Sequence, residues 1–262
     1  MINNSLLLLL LAIFSYMAYK AKALKLSGSI AAIVVGFAIY FGFGLKGLLL
    51  LAIFFITSTF WSKWKQKQKE NVQSILEKDD IRDWAQVVAN GGVPAIISIL
   101  YYVTDEPIFL VIFAVSIAAA NADTWASEIG IFSKSNPFLF VNLKRVSKGT
   151  SGAVSPLGTV AGLIGSLLIA ISTYVLWYKE ITVSEIGIIT LFGFLSMIID
   201  TILGSTIQQK NSCPICHLET EKKIHCHTKT IPSNGIAFFN NDMVNIVSIL
   251  LTTTMSVLFY FI

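Results

Sequence analysis

The sequence predicts an all-α fold: a polytopic transmembrane helix bundle of about eight spans, with its long loops on the cytoplasmic side. Three observations carry that expectation. The 262-residue chain is 55% hydrophobic and 13% charged, with a mean hydropathy of +0.72, whereas soluble domains carry roughly 25% charged residues. Its apolar residues come in runs of membrane-spanning length. Its basic residues gather in alternate connections. The polar segments between the runs are too short for a second core, so 1–262 is expected to be one integral membrane domain.

The first span is expected at 4–19. It lies in an apolar stretch from residue 2 with no basic region before it and no small-residue cleavage site, which reads as a retained helix rather than a signal peptide. The second (27–43) contains Gly28, Gly36 and Gly42, which suit close helix packing. A glycine-rich turn at 42–47 separates it from the third (46–61). Residues 61–84 form a cytoplasmic interfacial segment: KWKQKQKE suggests a short helix with Trp61 and Trp64 at headgroup depth. Lys63 and Lys67 share a face that suits anionic lipid or substrate phosphate, with a plain solvated helix the alternative. Spans four to eight follow at 86–103, 107–121, 155–178, 185–208 and 241–262, and 209–239 is a cytoplasmic loop within the domain.

Charge orients these elements. Lys20, Lys22 and Lys25 follow the first span, and Lys63, Lys65, Lys67, Lys69, Lys78 and Arg82 the third. Lys134, Lys144, Arg145 and Lys148 follow the fifth, and Lys210, Lys222, Lys223 and Lys229 the seventh. The other connections hold only Lys46, Thr104-Asp105-Glu106 and Lys179-Glu180. The positive-inside rule then puts both termini outside. The net charge of +4 is a topology signal and does not imply nucleic-acid binding.

Unusual polar residues crowd the same side. Arg82, Gln86 and Asn90 enter span four, Asn121 to Glu128 leave span five, and Gly149-Thr150-Ser151-Gly152 with Ser155 precede span six. Asp200 to Gln208 close span seven, and Asn241, Asp242 and Asn245 open span eight. A single cytoplasm-facing polar pocket is the economical explanation. At 100° per residue, Asn121, Thr124 and Glu128 share one face, and Asp123 and Ser127 a neighbouring one. Ser196, Asp200, Gly204 and Gln208 form a stripe at i+4, as do Asn241, Asn245 and Ser248 in span eight. Interhelical hydrogen bonding explains Ser196, Ser248 and Gln208. An intramembrane carboxylate such as Asp200 is costly and marks a site.

Phosphate chemistry suits such a pocket. Asp123, Glu128 and Asp200 offer hard oxygen ligands for Mg²⁺, with Asp242 a weaker fourth. Lys144 and Arg145 suit phosphate oxygens. The Gly149–Gly152 turn before a helix exposes backbone N–H groups to an anion, although the terminal Gly-Lys-Ser/Thr of a P-loop is missing.

These motifs resemble the membrane-protein family that contains plant phytyl-phosphate kinase and transmembrane protein nineteen. The resemblance rests on Arg82-Asp83-x-x-Gln86-Val-x-Ala-Asn90-Gly-Gly, Ala122-Asp-Thr-Trp-Ala-Ser-Glu-Ile-Gly130 and Gly149-Thr-x-Gly152-x-x-Ser155-x-x-Gly158-Thr. Asp200-Thr-x-x-Gly204-x-x-x-Gln208 and Asn241-Asp-x-Val-Asn245 continue it in order. The family looks distantly like polyprenol kinases and phosphatidate cytidylyltransferases. The resemblance implies transfer of a phosphoryl group from a nucleoside triphosphate, with CTP the leading donor, to an isoprenyl or phytyl monophosphate at the membrane face. It implies Mg²⁺ on Asp123, Glu128 and Asp200, and phosphates on Arg82, Lys144, Arg145 and the turn Gly149, Thr150, Ser151, Gly152 with Ser155. Asn90, Asn121, Thr124, Gln208, Asn241 and Asn245 would orient nucleotide or metal waters. A lipid-phosphate cytidylyltransferase and a transporter of a small or phosphorylated solute stand as alternatives. The absence of a transit-type presequence points to a prokaryotic cytoplasmic membrane, and a homo-oligomer is left open.

The 209–239 loop holds all three cysteines and all three histidines of the chain. Four of Cys213, Cys216, His225, Cys226 and His227 would complete a tetrahedral structural zinc site. Free thiols and a redox role are the alternatives. The thioredoxin-like reading of CxxC needs a βαβ context that is lacking here.

Overall fold

The computed structural model describes residues 3–73, 76–77 and 80–260. Lys78 and the last two residues of the eighth predicted span (241–262) lie outside them. The long helices are α1 (Asn4–Lys20), α2 (Leu26–Lys63), α4 (Trp84–Thr104), α5 (Ile108–Gly130), α6 (Pro156–Leu176), α7 (Val183–Thr206) and α8 (Asn241–Tyr260), with the short α3 (Gln66–Gln73) after α2. Among the described residues six helices are long and apolar enough to cross a membrane, and α1 is a shorter apolar helix.

α2 contains both the second and third predicted spans, and its backbone reverses at Gly44 (φ 58°, ψ −147°). The side chain of Leu48 packs beside Gly36, and Ile39 and Phe43 pack beside Gly47. In a straight helix residues 36 and 48 would stand about 18 Å apart, so the two limbs run antiparallel. Gly44 takes the turn because its φ is one that a side chain strains. Lys46, just past the turn, pairs with Glu180 at 3.3 Å and lies over the Trp177 ring. The other end of α2 returns to Glu128 through Ser62. With the two limbs of α2 counted separately, the described residues hold eight apolar helical segments.

α5 is the central helix. Every residue from Leu110 to Ala122 is buried, and it packs against α2, α4, α6, α7 and α8. Close approach to α6 runs through small residues: Gly158 faces the Ala126 carbonyl and Gly162 the Ala122 carbonyl. Caps fix the helix starts at the connection-rich end. Asp83 and Gln86 form a capping box on α4, and Ser155 accepts from the Gly158 N–H on α6. Pro94 inside α4 withholds the helix hydrogen bond from the Asn90 carbonyl.

The all-α expectation missed short strands in the connections. β1 (Phe138–Leu139) pairs antiparallel with β2 (Ala153–Val154). Beyond α7, β3 (Lys210–Ser212) lies between β4 (Glu219–Thr220) and β7 (Ile231–Asn234), and β5 (Ile224–His225) pairs with β6 (Thr228–Lys229). The 209–239 loop is thus a small ribbon, anchored where the Ile236 N–H donates to the Ile207 carbonyl.

Candidate active site

The end of the bundle that carries the long connections encloses a cavity of about 310 Å³, near the lower bound for small-molecule sites. Every polar segment singled out in the sequence reaches it. Its wall includes Arg82, Gln86 and Asn90 from the start of α4, Asp123, Thr124 and Glu128 from the last turns of α5, and Gly149 to Ser155 before α6. Asp200 and Gln208 come from the end of α7, and Asn241, Asp242 and Asn245 from the first turns of α8.

Among the described residues seven carboxylates line this space: Glu77, Asp80, Asp123, Glu128, Asp200, Glu221 and Asp242. Three cations oppose them, Lys69, Arg82 and Lys148. Asp200 lies within Coulombic reach of Asp123 and Glu221. Its Oδ2 accepts from Ser248 at 3.3 Å, and from the Asn245 amide at 2.8 Å when that amide is turned to donate. A crowd of hard oxygens with an excess of negative charge suits a divalent cation such as Mg²⁺. Asp123 and Asp200 line the cavity from two helices that pack together, α5 and α7.

Glu128 is already engaged. Its Oε1 accepts from Ser62 at 2.7 Å, and its Oε2 takes the Lys69 ammonium at 2.5 Å. Lys69 is 1% exposed and also donates to the Trp61 and Ser62 carbonyls, at 2.6 and 3.2 Å. An ammonium has three donors, so Lys69 is spent on pinning the segment after α2 to α5. Nothing in KWKQKQKE marks Lys69 as the lysine that turns inward. Lys63, expected at lipid or solvent, donates to the Ala21 carbonyl.

Arg82 donates to Thr59 at 3.2 Å and lies over the Phe54 and Phe55 rings. Burial pushes its guanidinium below the ordinary value, while the charges of Glu128 and Asp80 pull it back up. The segment around it is tied to the first connection by Lys25 N–H to the Arg82 carbonyl (2.8 Å) and Arg82 N–H to the Ala23 carbonyl (3.1 Å). Lys148 donates to the Ser133 carbonyl at 2.7 Å.

Two expectations about these residues need correction. The structure does not bring Lys144 and Arg145 to the cavity. Both are exposed in the hairpin between β1 and β2, where Arg145 bridges to Phe138 and its guanidinium lies 4.9 Å from that ring's centre. Asn121 is also outside the lining: it is fully buried, donates to the Gly165 carbonyl at 2.7 Å and accepts from Thr57 and Ser58. It ties α2, α5 and α6 together.

Residues 149–152 form a turn. Both glycines have positive φ (88° and 75°), and Gly152 approaches the Ser205 backbone so closely that a Cβ would meet it at 2.2 Å. Ser151 and Gln208 both donate to Glu221 Oε1, at 2.5 and 2.7 Å. Glu221 also accepts from the Glu77 N–H at 3.3 Å. Burial pushes the Glu221 carboxyl up, and the hydrogen bonds from Ser151, Glu77 and Gln208 offset part of that rise. Nothing in the sequence singles out Glu221, which looks there like one more charge in a polar loop.

In the Cys/His ribbon, the ligand atoms of Cys213, Cys216, His225 and Cys226 lie within 4.8 Å of one another. His227, a fifth candidate in the sequence, is not in this group.

A helical bundle of membrane-spanning lengths with a carboxylate-rich cavity at one end defines an integral membrane protein with a built polar site. The chain belongs to the integral membrane protein family DUF92, which it matches over residues 9–253. It is 28% identical to Protein PGR of Arabidopsis thaliana over 92% of this chain and 91% of that protein. It is 31% identical to a membrane protein of Methanocaldococcus jannaschii over 78% of this chain and 82% of the relative. Protein VTE6, chloroplastic, also of Arabidopsis thaliana, is 30% identical over 90% of this chain and 65% of its own length. No solved structure matches the chain.

Proposed function

We propose that the chain is a phosphotransferase of the membrane face, moving the terminal phosphoryl group of a nucleoside triphosphate, CTP in the first instance, onto an isoprenyl or phytyl monophosphate. One observation carries it: carboxylates, cations and a glycine turn from separate segments of the chain converge on a single cavity at one end of an apolar bundle. Kinship with Protein VTE6 and the motif resemblance to phytyl-phosphate kinase support the same class.

In this reading Asp123 and Asp200 would hold Mg²⁺, with Glu128, held by Ser62 and Lys69, in the same wall. Bound Mg²⁺ would neutralise phosphate charge and favour in-line transfer. Arg82 and Lys148 face the phosphates in place of Lys144 and Arg145, beside the turn Gly149–Gly152. Asn90, Asn241 and Asn245 orient the nucleotide, with Thr124 and Ser155 in the same wall. An oxygen of the acceptor monophosphate forms a new P–O bond to the γ-phosphorus. The bond from that phosphorus to the β-γ bridging oxygen breaks, and the nucleoside diphosphate leaves. No side-chain base is needed, since a phosphate monoester is already an oxygen nucleophile. The site end faces the cytoplasm, as its lysine-rich connections require.

The test is to incubate purified protein with labelled CTP or ATP, Mg²⁺ and a panel of prenyl monophosphates, and to identify the products. A nucleoside diphosphate with a prenyl diphosphate is the expected pair. Pyrophosphate release would replace the kinase with a cytidylyltransferase, and no turnover with any donor would overturn the proposal.

A further inference from the structure

We infer that the ribbon at 209–239 is closed by a structural zinc ion on Cys213, Cys216, His225 and Cys226, and that this staple holds Glu221 in the cavity wall. It stands whatever reaction the cavity performs.

The distances carry the metal. A tetrahedral ion with Zn–S near 2.3 Å and Zn–N near 2.05 Å has ligand-to-ligand edges of about 3.8 Å (S to S) and about 3.5 Å (S to N). Cys216 Sγ and Cys226 Sγ are 3.8 Å apart, and His225 Nδ1 lies 3.5 Å from Cys216 Sγ and 3.3 Å from Cys226 Sγ. The two sulfurs are far beyond the S–S bond length of about 2.05 Å. The thiols are thus spaced for coordination, not for a disulfide.

The backbone agrees. Cys213-Pro-Ile-Cys216 forms one turn, closed by the His217 N–H to the Cys213 carbonyl (2.9 Å) and the Cys213 N–H to the Leu218 carbonyl (3.0 Å). The other turn joins β5 to β6 through Cys226 and His227, both left-handed at φ 49° and 59°. Two-residue hairpins of that type favour Asn-Gly, because each non-glycine residue there is strained. Cys226 and His227 hold it without that advantage, and coordination by Cys226 and His225 offsets the strain.

The ribbon also lacks an apolar core. Ile215, Ile224, Ile231 and Ile236 are all more than half exposed. A segment this small without burial needs a covalent or metal link to keep one shape. Between ligands Cys216 and His225 the chain passes through β4 and then Glu221, whose carbonyl and that of Lys222 accept from the Asn211 side chain. Zinc closes this excursion at both ends. The Glu221 carboxylate is thereby held against Ser151 and Gln208.

The test uses the full chain purified in detergent without added metal. Elemental analysis should give about one zinc per chain. Cys216→Ser and His225→Ala should lose it, whereas His227→Ala should keep it. If the variants fail to accumulate, wild-type protein titrated with a mercurial should release zinc in step with thiol modification. Cobalt exchanged into wild-type protein should show thiolate-to-metal charge transfer and tetrahedral d–d bands. Zinc below about a tenth of an equivalent with three freely reactive thiols would overturn the site, as would its loss in His227→Ala but not in His225→Ala. For Glu221, chelation should speed tryptic cleavage at Lys222 and Lys223 and leave other sites unchanged. Unaltered cleavage there would refute the positioning role.

Discussion

Asp200→Asn separates a metal-binding carboxylate from a merely structural polar residue, because the two roles move stability in opposite directions. An asparagine oxygen at position 200 still accepts from Ser248 and Asn245, so the local hydrogen bonds survive. Only the charge is removed. Asp200 shares its surroundings with Asp123 and Glu221, and two like charges about 6 Å apart at an effective dielectric near 20 repel by about 3 kcal/mol. Without metal, the variant should therefore be more stable than wild type by about 1–3 kcal/mol. With Mg²⁺ at about 100 times its Kd, the wild-type chain should gain about 2.7 kcal/mol. Losing one ligand and weakening affinity about 10–100-fold leaves the variant a gain of only about 0.4–1.4 kcal/mol at the same concentration. Tryptophan fluorescence during heating in detergent, at one scan rate with EDTA or Mg²⁺, reads both shifts. An equal Mg²⁺-induced shift in the two proteins, or none in wild type, would refute the assignment.

Two other perturbations follow from the same geometry. Lys69→Met leaves the half-buried Glu128 without its ammonium partner, which should cost at most about 3–5 kcal/mol, the figure for a fully buried pair; adding Glu128→Gln should recover much of that loss in the same thermal assay. Glu221 gives a pH dependence. Burial raises its carboxyl in the folded chain, so it favours the fold below its unfolded value of about 4.3, and that contribution is lost as pH rises through the raised folded value. Glu221→Gln should then flatten the fall in stability above about pH 4.3 relative to wild type, and parallel stability profiles would argue against burial as the cause.

Most of the fold was legible because membrane burial writes itself into composition. Each predicted run reappears as a helix or a limb of one, and the glycine-rich break at 42–47 is the reversal at Gly44. The ribbon was hidden for a physical reason. Its strands are two to four residues long, too short for a period-two pattern to emerge, and their side chains are not sorted by an apolar core. The cysteine spacing pointed to the candidate ligands, and nothing pointed to the strands that carry them.

The site divides along a similar line. Asp123 and Asp200 could be picked out because an ionisable group in an apolar helix has few inexpensive explanations. Asn121 shows the limit of that logic. It shares a helical face with Thr124 and Glu128, but α5 is buried on every side through Ala122 and opens to the cavity only from Asp123 onward. Depth along the helix, which a wheel does not display, separates a packing amide from a cavity residue. Lys144 and Arg145 sit near the glycine turn in sequence, yet a β-hairpin directs them away from it. Lys69 sits in a run of similar lysines, and only the fold selects it, by bringing Glu128 and the ends of α2 to one point. Costly charges are readable from sequence; the groups that make them affordable belong to the tertiary structure.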